Sequence, residues 1–126
     1  MRDVCQDVPK EITDSTGFIT KDSGKRVEYD SGMRRDTNDG KIDYTLCDMS
    51  MFKRWAALMT RGKKKYGKLN WAKANSKEEL ERFYESAYRH FISWLLGEID
   101  EDHAAAIFFN VAAAEYVKEK LKNGTS

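Results

Sequence analysis

The stretch from Gly97 to Asn110, GEIDEDHAAAIFFN, sets Glu98, Asp100, Glu101, Asp102 and His103 directly ahead of an apolar run that holds one asparagine. Charges at the edge of a core are costly unless they are paired, hydrogen-bonded or bound to a cation. Two readings meet that condition. In one, Asp100 or Asp102 caps a helix and Glu101 faces the positive end of its dipole. In the other, the residues form a metal site. His103, Ile107, Asn110 and Ala114 share one helical face, so His103 and Asn110 are polar groups on a segment that otherwise asks for burial. If the helix before Gly97 doubles back on the helix after it, His90, Glu98, Asp100, Asp102 and His103 crowd at the bend. Helical bundles hold divalent metals in that manner. Oxygen ligands favour Mg²⁺ or Mn²⁺, and a histidine makes Mn²⁺ easier to accept.

A second constellation is GKKKYGKLNWAK, residues 62–73. Lys63, Lys64, Lys65 and Lys68 are point charges suited to phosphate. Tyr66 and Trp71 can stack on a base, and Asn70 can read a base edge. The plainer reading is a solvated basic turn with Trp71 as a core plug. A third is RRDTNDGKIDYTL, residues 34–46, where Arg34, Arg35 and Lys41 stand beside Asp36 and Asp43. Ion pairing within that segment accounts for it as readily as ligand binding. There is no phosphate-binding Walker loop, no GxSxG and no zinc-ligand spacing.

The elements that must position these groups are helical. Phe52, Trp55, Ala56 and Met59 recur at three- and four-residue steps, which predicts a first helix from Met51 to Arg61, capped by Ser50 and ended by Gly62. Ser76 with Glu79 is a capping box. Leu80, Phe83, Tyr84, Ala87, Phe91, Trp94 and Leu95 then line one face of a second helix that Gly97 interrupts. The third helix runs from about Asp102 to Lys122. Its first half, AAAIFFNVAAA, is apolar all round and is expected to be the central helix. Its tail carries lysines where the dipole favours them. Residues 1–45 lack helical periodicity and read as an irregular arm before a helical domain over 46–126. Within the arm, Phe18 and Ile19 facing Val27 and Tyr29 suggest a short hairpin, and Asn38-Asp39-Gly40 is a turn signal.

The bulk numbers bound the reading. The chain has 126 residues, enough for one core. Its 22 basic and 21 acidic side chains give a net charge of +1, which argues against a protein that holds nucleic acid by bulk charge. No apolar run approaches the roughly 20 residues of a membrane span, and the first residues are too polar for a secretory signal. Cys5 and Cys47 stand in no CxxC pattern and read as free thiols in a reducing cytosol.

Taken in order, RRDTNDGKIDYTL, RWAALMTRGKKKYGKLNW and YRHFISWLLGEIDEDHAAAIFFN resemble the small phage dATP/dGTP diphosphohydrolases (MazZ-type), relatives of the MazG-like nucleotide pyrophosphohydrolases. The likeness runs from about Gly32 to Asn110. It implies an all-α, MazG-like helical bundle and Mg²⁺- or Mn²⁺-dependent hydrolysis of a deoxynucleoside triphosphate, dATP or dGTP, to monophosphate and pyrophosphate. It further implies assembly as a homodimer or homotetramer and a place in the cytoplasm of an infected bacterium. Some phage relatives are linked to 2-aminoadenine DNA. On this resemblance Glu98, Asp102 and His103 are expected to be catalytic. Glu85, His90, Glu98, Asp100, Asp102 and His103 are the expected metal ligands. Lys41 and Lys65 would hold the triphosphate, Tyr66, Asn70 and Trp71 the base or sugar, and Asn110 a ligand or bridging water. The wider MazG group places an Asn seven residues after the Asp of an ExxD helix. Seven back from Asn110 lies His103, and three further back Asp100, so DEDH stands where ExxD would. The alternative is a non-catalytic module that binds single-stranded nucleic acid or a host protein through the basic aromatic loop.

Overall fold

The computed structural model describes residues 2–5 and 11–124. The chain divides into two units, Met1–Leu46 and Cys47–Ser126. Part of the arm, residues 6–10, lies outside the described residues.

The first unit is built from short strands, so the all-α expectation holds only for the second. β1 (Arg2–Cys5), β4 (Lys25–Glu28) and β5 (Arg34–Asp36) form an antiparallel sheet in the order β1-β4-β5. β2 (Glu11–Thr13) pairs antiparallel with β3 (Ile19–Lys21). The expected hairpin between the Phe18–Ile19 and Val27–Tyr29 segments does not form. The chain between them is diverted by carboxylates: the Gly24 amide donates to Asp22 Oδ1 at 2.9 Å, and the Ser23 amide donates to the Asp36 carboxylate at 3.2 Å. With those amides captured, β3 and β4 leave for different partners. β4 turns instead into β5, closed by Tyr29 N–H to the Met33 carbonyl at 2.9 Å. The turn at Asn38-Asp39-Gly40 forms as expected, with Lys41 N–H on the Asn38 carbonyl at 3.0 Å. Among the described residues of this unit the buried side chains, Asp22 and Thr37, are polar. Asp22, buried, takes two 2.7 Å hydrogen bonds from Arg26, whose guanidinium holds its carboxyl down at about 2.

The second unit has three helices, α1 (Met49–Tyr66), α2 (Lys77–Leu95) and α3 (His103–Lys122). α1 begins two residues before the expected start because Asp48, not Ser50, is its cap and accepts from the Ser50 amide at 3.0 Å. It also runs through Gly62 to Gly67. One glycine costs a helix only about 1 kcal/mol, and the lysines that follow are good helix formers. Gly67, at φ 90°, supplies the stop that Gly62 does not. α2 starts at the expected capping box: Ser76 Oγ accepts from the Glu79 amide at 3.2 Å, and Glu79 accepts from the Asn75 amide at 3.0 Å. Gly97, at φ 76°, closes its end.

α3 packs against both other helices. The pairs Phe83–Phe109 and His90–His103 run in opposite directions along α2 and α3, so those two helices are antiparallel. Small residues make the close approach possible. Ala105, Ala106, Ala113, Ala114 and Val117 are the buried apolar residues of α3, and Val117 is the largest fully buried side chain among the described residues. The outer face of α3 stays open, with Phe108 and Val111 about half exposed. At the far end, Lys120 Nζ donates to the carbonyls of Ala72 and Ala74 at 3.0 and 2.8 Å, tying the Asn70–Lys73 3₁₀ turn to α3.

Candidate active site

The elbow between α2 and α3 brings His90, Glu98, Asp100, Glu101 and His103 together. Two sets of three have ligand atoms within 4.8 Å of one another: His90, Glu101 and His103, and Glu98, Asp100 and His103. His103 is the hub and is 5% exposed. Both of its ring nitrogens are engaged, Nε2 with Asp100 Oδ1 at 2.8 Å and Nδ1 with His90 Nδ1 at 2.8 Å. Ionised Asp100 only accepts, so His103 Nε2 carries a proton. With His103 neutral, its Nδ1 accepts from His90 Nδ1, and the lone pair of His90 falls on Nε2. Partial burial holds the pKa of His90 below its ordinary value, with Glu101 opposing that shift, so the neutral ring is favoured. The hydrogen bond from His103 holds Asp100 below the usual carboxylate range.

The donor chemistry suits a hard divalent cation. Glu98, Asp100 and Glu101 are exposed carboxylates gathered on a buried imidazole, and the side chains of Glu98 and Glu101 make no hydrogen bond or ion pair among the described residues. His103 could reach a cation only by giving up one of its two ring hydrogen bonds. Its present role is to orient Asp100 and His90.

Two expected ligands are placed elsewhere. Asp102 is the N-cap of α3, accepting from the Ala105 amide at 3.1 Å. It is also gripped by Arg54 through two hydrogen bonds of 2.9 and 2.6 Å, which hold its carboxyl down at about 2. The capping alternative is therefore the one Asp102 adopts. Glu85 pairs with Arg82 at 3.6 Å on the exposed face of α2 and joins neither cluster. Glu101 stands within ligand-atom distance of both His90 and His103. Its signal was present in the sequence but read only as a first-turn acid.

Next to the elbow lies a cavity of about 750 Å³ in the same unit, walled in part by Tyr66, Asn70, Trp71, Phe83, Phe109 and Asn110. Tyr66, Asn70 and Trp71 of the basic aromatic loop thus border one cavity, and Asn110 of α3 borders it too. Asn110 is buried and donates to the Ala106 carbonyl of its own helix at 2.8 Å. Trp71 meets Tyr116 edge to face at 5.1 Å, so it is packed and still reaches the cavity. Leu69 adopts φ 57°, a left-handed conformation that a non-glycine residue holds only at a cost. That strain turns Asn70 and Trp71 into the cavity wall. Lys65 is not part of that wall; its ammonium sits 5.0 Å from the centre of the Tyr66 ring. Lys41 belongs to the first unit, where it pairs with Asp36 at 3.8 Å. The lysines that border the cavity are Lys63 and Lys68.

The second unit is thus a helical hairpin with a histidine–carboxylate elbow and an aromatic, amide-bearing cavity. Residues 31–125 match the family model described as dATP/dGTP diphosphohydrolase, N-terminal, and the chain belongs to that family. No curated protein and no solved structure matches the chain. Among the described residues no helix is long and apolar enough to cross a membrane.

Proposed function

We propose that the protein hydrolyses a purine deoxynucleoside triphosphate, dATP or dGTP, to the monophosphate and pyrophosphate, and that it does so during phage infection, in the host cytoplasm, as a relative of MazG-like enzymes. The observation that carries this reading is the elbow cluster standing one helical turn from the cavity: Ser86 borders the cavity and His90 belongs to the cluster. Family membership supplies the substrate class.

Glu98 with Asp100, and Glu101 beside His90, are the residues that would hold Mg²⁺ or Mn²⁺. A bound divalent ion supplies neutralisation of the charge on the phosphate oxygens. His90 Nε2, neutral and carrying a lone pair, is suited to accept a proton from the attacking water. His103 and Asp100 hold that ring in the tautomer the task needs. Trp71, Tyr66 and Asn70 contact the base and sugar. Asp102 positions α3 and its pair with Arg54 joins α1 to the elbow.

The test is turnover. The protein is incubated with each dNTP and Mg²⁺ or Mn²⁺, and pyrophosphate is measured. Release from dATP or dGTP, abolished by EDTA and by the double change Glu98→Gln, Glu101→Gln, is the expected result. Absence of pyrophosphate from every dNTP refutes the reading, and release of triphosphate or single phosphates replaces it with a different phosphohydrolase.

A further inference from the structure

The cavity beside the elbow has an unbalanced charge that neither the elbow nor the aromatic loop explains. Its wall carries Lys63 from the end of α1, Lys68 from the turn that follows, and Arg82 and Arg89 from α2, with no carboxylate among the described residues. In a chain whose basic and acidic residues number 22 and 21, four cations without an acid around one cavity mark a focus of positive potential. Arg82, Ser86 and Arg89 follow at steps of four and three, so they form one stripe along α2. Sequence reading passed over this stripe because the arginines look like the solvated side of an amphipathic helix.

The partners of these cations are weak. Among the described residues Arg82 pairs only with exposed Glu85 at 3.6 Å, an ion pair of the kind worth about 0–1 kcal/mol and readily exchanged. Arg89 has Ser86 Oγ at 3.5 Å, a long contact, and no carboxylate among the described residues. Lys63 and Lys68 have no ion pair there either. Guanidinium groups present planar forks that match phosphate oxygens two at a time, which ammonium groups do not. The volume, about 750 Å³, is that of a small-ligand site. The even overall charge argues against a nucleic-acid backbone as the occupant.

We infer that Arg82 and Arg89, with Ser86 between them and Lys63 and Lys68 opposite, bind the polyphosphate chain of a free nucleotide. They would hold it along α2 while the aromatic loop takes the base, and they make the site select triphosphates over the nucleoside. Ser86 and His90 stand four apart on one face of α2, so the phosphates held by the stripe lead to the elbow. This deepens the hydrolase reading and rests on it for the base end of the ligand. The cations alone carry the phosphate end.

The experiment measures binding to the full chain in EDTA by calorimetry, with inorganic tripolyphosphate, dATP, dGTP and the two deoxynucleosides as probes. Turnover with Mg²⁺ is followed in parallel. Arg89→Gln and Arg82→Gln are expected to weaken tripolyphosphate and both nucleotides about tenfold each, the size of one lost charge-assisted contact, and to leave the deoxynucleosides unchanged. Arg89→Lys restores part of the loss, and circular dichroism checks that each variant keeps its helices. Equal loss for nucleoside and nucleotide, no loss for either, tighter binding of a single-stranded oligonucleotide than of dATP and dGTP, or no tripolyphosphate binding by the wild-type chain overturns the inference. Arginine-dependent tripolyphosphate binding without any pyrophosphate release leaves the inference standing and removes the hydrolase reading. Turnover with an unchanged KM in the two glutamine variants does the reverse.

Discussion

Asp102 and His103 are neighbours in sequence, yet the structure divides their work. Asp102 caps α3 and takes both hydrogen bonds of Arg54, while His103 turns the other way and joins His90 to Asp100. Removing the Asp102 carboxylate therefore acts on stability. Asp102→Ala is expected to cost about 1–2 kcal/mol, the upper part of the range for a lost N-cap, because the Arg54 pair goes with it. A shift of the urea midpoint at unchanged slope is the readout. The folded pKa of Asp102, about 2, lies below its ordinary value, so its contribution is present above that ordinary value and fades as pH falls towards 2. The wild-type chain should accordingly lose more stability on acidification than Asp102→Asn does. His90 predicts a pH effect on turnover. Its pKa is lowered from 6.5, so its lone pair survives until the pH drops below 6.5. The acid limb of kcat is expected on that side, and a limb centred above 6.5 would argue that another group accepts the proton.

At the scale of elements, two glycines on the helices behave in opposite ways. Gly62 lies inside α1 without a positive φ, and a Cβ built there meets nothing within 4 Å. Gly62→Ala is expected to raise stability by about 0.5–1 kcal/mol, with thermal unfolding as the check. Gly97 sits at φ 76° in the turn that leads from α2 into the elbow. Gly97→Ala has free space but the wrong backbone, and is expected to cost about 1–2 kcal/mol. The capping box of α2 was legible because its two hydrogen bonds lie within four residues. The start and stop of α1 were misplaced because Asp48 competed with Ser50, and Gly67 with Gly62, by margins that local sequence does not resolve.

For the whole molecule, the small size of the core is the decisive quantity. Its buried apolar residues among those described are Ala74, Ala105, Ala106, Ala113, Ala114 and Val117, whereas Trp94, Leu95, Leu96 and Ile99 are 52–93% exposed. Burying a large apolar side chain contributes about 1.5–3 kcal/mol, and these do not yet do so. Self-association through the helical unit is expected, and light scattering on the eluted protein should give a mass of at least twice 14.6 kDa. A monomer at micromolar concentration would contradict it.

By itself the sequence determined the helical unit, the capping box of α2 and the apolar faces of the second and third helices. Each follows from periodicity or from residues close together in the chain. The tertiary structure decided which acids serve the elbow and which serve the scaffold. Arg54 lies 48 residues from Asp102, and only the packing of α1 reveals that it claims that carboxylate and leaves Glu101 with the cluster. The same packing turned Arg82 and Arg89 from an ordinary polar face into the wall of a cavity. Charge has no period of its own, so its partners are fixed only once distant elements have been brought together.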